Sequence, residues 1–563
     1  MIATLAQVAA TLKLPDYTAE IINLGVIGED QGLIISTGGK MLAVALLGGI
    51  CTVIAGYMAA RVGTGFSRDI RTAIFAKVEN FSLAEINQFS TSSLITRSTN
   101  DTQQLQMVVV MIFRMVLSAP ITAIWAIVKA IQIAPNMSWI MGIAVLSLIL
   151  VIATLFSLAI PKFQVLQKLT DKLNLIAREN LKGIRVIRAF NNEGHENKRL
   201  TMVNEELTST NLFISRIVGL MQPLMFLILN LASVGIVWTG SHLIVDNKLG
   251  IGNMMAFMQY AIQVIISFLL ISIVFIMIPR AMVSAKRIVE VLQIDPSIKD
   301  TELPLTTTSR RGEIKFRDIT FGYNKADTPV LENISFIAKP GEVTALIGST
   351  GSGKSTLINL IPRFYDVMFG EILLDGINIK DLSQIDLRSQ IGYISQKPVI
   401  FSGTIADNIS YGTPRATIAQ IHKAAEIAQA AEFINKLPKK YQTSISQNGT
   451  NLSGGQKQRI SIARAIVKDP DIYIFDDSFS ALDYKTENRL RHALQEEIKE
   501  KTVLIVAQRV NTVIHADQII VLDQGEIVGI GKHRELITTC KVYQEIARSQ
   551  LSETELNKYM HSK

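Results

Sequence analysis

Two glycine-rich stretches decide the reading of this chain: Gly348-Ser349-Thr350-Gly351-Ser352-Gly353-Lys354-Ser355-Thr356 and, well downstream, Leu452-Ser453-Gly454-Gly455-Gln456. The apolar run 343–347 leads into the first as a strand, and a helix is expected from near Lys354. Strand, glycine turn and helix in that order make a phosphate-binding loop. The glycines let backbone N–H groups converge on phosphate oxygens, and the helix N-terminus adds a favourable dipole. Lys354 then bridges terminal phosphates, and Ser355 offers a hydroxyl to Mg²⁺. The second stretch is another glycine turn, followed by Lys457-Gln458-Arg459 and a helical run. Two anion-binding turns in one unit make sense if two copies face each other. Each copy then holds a nucleotide in its loop and caps its partner's nucleotide with the second turn.

The 563 residues are too many for one ordinary domain. The first half is apolar with clustered charges, whereas the second reads as a soluble α/β protein. The net charge is +8, but the basic residues crowd around the ends of apolar segments. That placement favours membrane orientation over nucleic-acid binding. Cys51 and Cys540 lie far apart, and a reduced, cytosolic state is expected for them.

A membrane helix needs roughly 20 mostly apolar residues. Segments 38–60, 107–131, 139–160, 218–245 and 254–278 qualify. Segment 1–14 is apolar but short, and reads as the late part of a truncated first helix, with Pro15 near its outer end. The expected fold is therefore multidomain: six membrane helices in an all-α domain over 1–293, a linker at 294–311 rich in Pro, Ser, Thr and charge, and an α/β ATPase domain over 312–563. Arg61, Arg68, Arg71, Lys77 and Arg97 lie in one long connection, and Lys162, Lys168, Lys172, Arg178, Lys182, Arg185 and Arg188 in another. The opposite connections are short, as at Glu29-Asp30-Gln31 and Ala134-Pro135-Asn136. The long basic connections and the ATPase domain are accordingly expected in the cytoplasm. Segments 60–84 and 163–189 keep helical periodicity, so the helices are expected to continue beyond the bilayer.

Tyr473-Ile474-Phe475-Asp476-Asp477 reads as a buried strand ending in two carboxylates, with Asp476 suited to Mg²⁺. Taken with the phosphate loop and residues 452–456, this run resembles the ATP-binding cassette (ABC) family from about residue 314 to 550. The layout of the first half resembles the exporter type, whose two intracellular loops end in short coupling helices; these are expected near 89–96 and 191–198. The resemblance implies ATP and Mg²⁺ as ligands. It places Tyr323 as the aromatic platform for adenine and Gln396, in Ile394-Ser395-Gln396, as the lid glutamine near Mg²⁺ and the attacking water. Ser453, Gly454, Gly455 and Gln456 would reach the partner's γ-phosphate. Ser480-Ala481-Leu482-Asp483 corresponds to the loop that crosses the dimer interface.

The chain departs from the family at three places. Asp477 stands where most cassettes carry the catalytic Glu, one methylene longer. Gln508, in Val506-Ala507-Gln508-Arg509, stands where the family places a His; an amide cannot become cationic or act as a general acid or base. Gln447-Asn448-Gly449 replaces an acidic-basic pair common in exporters. A displacement of about 1 Å at a reacting centre costs on the order of 100-fold in rate. The resemblance thus points to one half of a heterodimeric bacterial exporter in the cytoplasmic membrane, with a slow site here and an intact signature for a second half-transporter. A homodimer with Asp477 as the working carboxylate is the alternative. The partners expected are that second half-transporter, the lipid bilayer and a small amphipathic substrate, without nucleic acid. Arg114, Lys129, Asn230, Gln259 and Gln263 are candidate pathway residues. Met221, Met225, Met254, Met255, Phe257 and Met258 are candidates for an apolar wall.

Overall fold

The computed structural model describes residues 1–306, 311–323, 328–552 and 556. Part of the expected linker, 307–310, and parts of the expected cassette, 324–327, 553–555 and 557–563, lie outside the described residues. The chain divides into two compact units. One contains Met1–Glu79 with Thr91–Ile294, and the other contains Asn80–Ser90 with Asp295–Lys563.

The first unit is helical. It contains α1 (Ile2–Glu20), α2 (Gln31–Glu79), α4 (Thr91–Thr96), α5 (Thr102–Met111), α6 (Ser118–Ile133), α7 (Ser138–Ala189), α8 (Glu193–Val245) and α9 (Ile251–Gln293). The helix α3 (Leu83–Phe89) groups with the second unit. Among the described residues, five helical stretches are long and apolar enough to cross a membrane: Gln31–Glu79, Thr91–Ile133, Pro135–Ala189, Glu193–Val245 and Ile251–Val274. The 49 residues of α2 reach about 74 Å at 1.5 Å per residue, well beyond the ~30 Å hydrocarbon layer. The core of this unit is built on small residues, Ala126, Ala130 and Ala256, with Leu12, Met137, Phe257 and Tyr260 filling the space between helices. Small residues let helices approach closely. At Gly252 a Cβ would lie 2.5 Å from the Ala19 carbonyl oxygen, so α9 and α1 touch backbone to backbone.

Four sequence expectations change here. Pro15 lies inside α1, not at its outer end, and the helix continues through a π-helical turn, Ile21–Val26. The first coupling turn, expected at 89–96, is displaced: the separate short helix is Leu83–Phe89, and Ser90 breaks the chain with φ 59°. At 191–198 there is no separate helix, because Asn191 turns with φ 49° and α8 begins at Glu193. Met225 and Phe257, proposed as wall residues, are buried in helix packing.

The second unit carries two main sheets. Strands β1 (Ile314–Phe321), β2 (Leu331–Ala338), β4 (Phe369–Leu374) and β5 (Ile377–Asn378) form an antiparallel sheet in the order β2-β1-β4-β5. The larger sheet contains β3 (Val343–Gly348), β6 (Ile391–Ile394), β9 (Ile472–Asp476), β10 (Thr502–Val506), β11 (Gln518–Asp523) and β12 (Glu526–Gly531), in the order β12-β11-β3-β10-β9-β6. Between β6 and β9 in sequence, β7 (Gly403–Thr404) and β8 (Ser444–Ile445) pair separately. All strands of the larger sheet are parallel except β12. Every residue of β9 is buried, as the unbroken apolar run of a central parallel strand requires.

Candidate nucleotide site

The parallel strands end together, and their loops make the site. Register pairs Val506 of β10 with Leu346 of β3 and with Asp476 of β9, and Ile394 of β6 with Phe475. Residues at or just past these strand ends, Gly348, Gln396, Asp477 and Gln508, are thereby brought to one edge. Ligand sites of open α/β sheets form at such an edge, outside the carboxyl ends of the strands.

Beyond β3 the loop turns through Gly351 and Gly353 at φ 88° and 95°, a region that side chains rarely adopt, and the helix Lys354–Leu360 begins. Lys354 is buried inside this loop. Its Nζ donates to the carbonyls of Gly348 (2.9 Å) and Ser349 (2.6 Å) and lies 3.3 Å from Ser352 Oγ. Burial pushes the ammonium below its ordinary value, against the opposing pull of Asp477 and Asp476. An anionic phosphate would satisfy this desolvated cation. Tyr323 is partly exposed, and its hydroxyl lies 3.0 Å from Thr356 Oγ1. Its ring meets Tyr365 edge-on at 5.3 Å.

Ser355 donates to Asp476 Oδ1 at 3.0 Å. Burial raises the Asp476 carboxyl, the Ser355 hydrogen bond opposes that, and the neighbouring Asp477 adds to the rise. Two oxygen ligands on adjacent corners of a Mg²⁺ octahedron lie roughly 2.9 Å apart. The hydroxyl and carboxylate oxygens therefore fit this hard cation. Among the described residues no cluster of three His, Cys, Asp or Glu side chains is placed to hold a metal by itself. Asp477 adopts φ 45°, and its Oδ2 accepts from Gln396 Nε2 at 3.2 Å and Gln508 Nε2 at 3.0 Å.

The second glycine turn is an N-terminal cap. Ser453 Oγ accepts from Gln456 N at 3.3 Å, and Gln456 Oε1 accepts from Ser453 N at 2.9 Å, which starts the helix Gly454–Ile466. The hydroxyl hydrogen of Ser453 stays available to a ligand. A Cβ on Gly454 would meet nothing within 4 Å, so this chain has no internal need for glycine there. Asp483 caps the helix Tyr484–Glu497 through Thr486 N at 2.9 Å and Thr486 Oγ1 at 2.7 Å.

Two family profiles match, ABC transporter over residues 331–480 and ABC transporter transmembrane region over residues 1–268. The chain belongs to the ABC transporter family. An uncharacterised ABC transporter ATP-binding protein of Mycobacterium tuberculosis is 38% identical over 554 residues, covering 98% of this chain and 95% of its own. An ATP-dependent lipid A-core flippase of Syntrophus aciditrophicus is 32% identical over 525 residues, covering 91% of this chain and 85% of its own. The structure also resembles that of a bacterial Atm1-family ABC exporter with ATP bound, at a TM-score of 0.81 and 26% identity, covering 98% of this chain and 97% of that one. This ABC transporter is a multi-pass membrane protein and an ATP-driven exporter, with its ATPase in the C-terminal half.

The sequence reading of this transporter missed two polar networks. Asp16, in α1, accepts from Tyr260 Oη at 2.7 Å and Lys129 Nζ at 3.0 Å, and Tyr260 is fully buried. Lys129 is a charge within an apolar segment of the sequence, whereas Asp16 falls just beyond the apolar run 1–14. The other network centres on Glu85, whose trace in the sequence is Ser82-Leu83-Ala84-Glu85, a helix-start pattern. Arg114 lies in the π-helical turn Ile112–Val116, and Asn230 is exposed.

Proposed function

We propose that this chain is one half of a heterodimeric ABC exporter of the cytoplasmic membrane, moving a small amphipathic substrate. Its own loop, with Tyr323, residues 348–356 and Lys354, binds ATP, and its Asp477 site turns over slowly. Residues 453–456 and Asp483 complete the competent site of the partner.

The observation that carries this reading is the sharing of Asp477 Oδ2 by two amides, Gln396 and Gln508. An attacking water would have to compete with both donors for that oxygen. The Asp side chain is one methylene shorter than Glu, and Gln508 has no titratable nitrogen with which to move a proton. Lys354 binds the phosphates; Ser355, Asp476 and Gln396 would hold Mg²⁺, which when bound offsets charge on the phosphate oxygens. The unobstructed Gly454 supports a role for the signature turn toward a ligand from outside the chain. Similarity to a lipid A-core flippase supports an amphipathic cargo. ATP binding closes the paired cassettes, and hydrolysis at the partner's site resets them, a two-state equilibrium biased by nucleotide.

The test is ATP hydrolysis by the purified chain alone and after co-expression with a half-transporter carrying Glu and His at the positions of 477 and 508. Binding without appreciable turnover alone, and turnover in the pair, is the expected result. Substrate-stimulated hydrolysis by the chain alone at the rate of the pair would establish the homodimer instead.

A further inference from the structure

We infer that Glu85 is a positioning residue for transport: its carboxylate staples α3 to the segment of chain that enters the cassette. The helix α3 is a separate piece, ended by the left-handed Ser90. Glu85 is buried, and its two oxygens serve different partners. Oε2 accepts from Ser82 N at 2.7 Å, the ordinary task of a capping glutamate. Oε1 accepts from Ser297 N at 3.3 Å, in a segment 212 residues away in sequence. The two serine hydroxyls, Ser82 Oγ and Ser297 Oγ, lie 3.0 Å apart beside it. A capping box needs only the first of these bonds, so the others join two separate segments.

The segment that Glu85 grips is itself pinned to the cassette. Ile298 is buried. The carbonyl of Lys299 accepts from Arg363 Nη2 at 3.3 Å, and Asp300 Oδ1 accepts from Gln384 N at 3.1 Å. Arg363 is buried and ion-paired with Asp366 at 2.8 Å, a few residues beyond the helix that starts at Lys354. A continuous set of contacts therefore runs from the phosphate-loop helix through Arg363 and Ser297 to Glu85. On the other flank of α3, Asn87 Nδ2 donates to Tyr365 Oη at 3.4 Å. Covalent chain on either side of α3 leads to α2 and α4. With the staple intact, movement of the cassette is passed to α2 and α4 as well as to α9, whose C-terminal end leads directly into the gripped segment. Without it, α3 is held only by its remaining contacts.

The experiment uses the assembled exporter in lipid vesicles and reads hydrogen exchange of the α2 extension, residues 60–79, with and without ATP and vanadate. Glu85→Ala should reduce the ATP-dependent change in exchange about tenfold, the scale of one hydrogen bond to a charged group. The KM for ATP should stay unchanged. Glu85→Gln, which keeps one acceptor oxygen, should lie between. In a background of Cys51→Ser and Cys540→Ser, oxidising the Ser82→Cys/Ser297→Cys pair should restore the response to the Glu85→Ala protein, and reductant should abolish it again. A wild-type response in both Glu85 variants overturns the assignment. So does failure of that cysteine pair to cross-link, a cross-link that forms without restoring the response, or no ATP-dependent change in the unsubstituted protein.

Discussion

The side-chain amide of Gln508 donates to Asp477 Oδ2 across 3.0 Å, so the two residues proposed as departures from the family's catalytic pair touch each other. They form one altered contact, not two independent changes. The left-handed backbone at Asp477 also tolerates Asp more readily than a longer side chain.

If reach limits the site, Asp477→Glu should raise hydrolysis by this chain, and adding Gln508→His should raise it further, on the order of 100-fold in total. Single-turnover hydrolysis measures this directly. Asp477→Asn should change little in the assembled pair. Loss of ATPase activity in that variant, with nucleotide binding kept, would make Asp477 the working base.

Gly454→Asp should leave the melting temperature of the chain nearly unchanged, because the position is open and exposed. Hydrolysis by the pair should fall at least about tenfold, since a carboxylate beside a γ-phosphate costs more than about 1.4 kcal/mol. A stability loss matching the activity loss would assign the residue to folding.

Lys354→Ala removes the cation that gathers the loop carbonyls and leaves phosphates without their buried partner. ATP affinity at this chain's site should drop more than about tenfold. Steady-state turnover of the pair should fall less than with Gly454→Asp. Equal losses of turnover would contradict an asymmetric pair.

Glu85 supplies a pH test. Burial raises its carboxyl, but hydrogen bonds from Ser82 and Ser297 outweigh this and hold it below the usual 4.5. A depressed carboxyl contributes stability that is fully present above 4.5 and is lost as pH falls through the lower folded value. The α3 attachment should therefore be indifferent to pH from 6 to 8, and hydrogen exchange in 80–90 should rise only below 4.5. In Glu85→Gln that acid step should be absent.

Asp16→Ala removes the partner that Lys129 and the buried Tyr260 hydroxyl share, and should destabilise the membrane unit by about 2 kcal/mol. Adding Lys129→Met should recover much of the loss. Thermal unfolding of the four proteins of this cycle measures the coupling.

Much of this architecture is carried by local sequence. The phosphate loop is legible because glycines and a lysine at fixed spacing follow an apolar strand, and the membrane helices because long apolar runs admit no other backbone solution in lipid. Helix ends were less legible. The coupling turn was expected at 89–96, but the capping pair Ser82 and Glu85 starts a helix earlier and Ser90 ends it. Pro15 reads as a stop, yet α1 runs through it and on into a π-helical turn.

Sequence by itself determined which residues are candidates for the chemistry: Lys354, Ser355, Asp476, Asp477, Gln508 and the turn at 453–456 are each marked by their neighbours. Only the tertiary structure decided which of them meet. Parallel register between β6, β9 and β10 brings Gln396 and Gln508 onto one carboxylate oxygen of Asp477. Helix packing brings Asp16 to Lys129 and Tyr260, and the docking of α3 on the segment after α9 brings Glu85 to Ser297. The reason is range: spacing along the chain encodes turns, caps and periodicity, whereas a hydrogen bond between residues 85 and 297 depends on how whole elements pack.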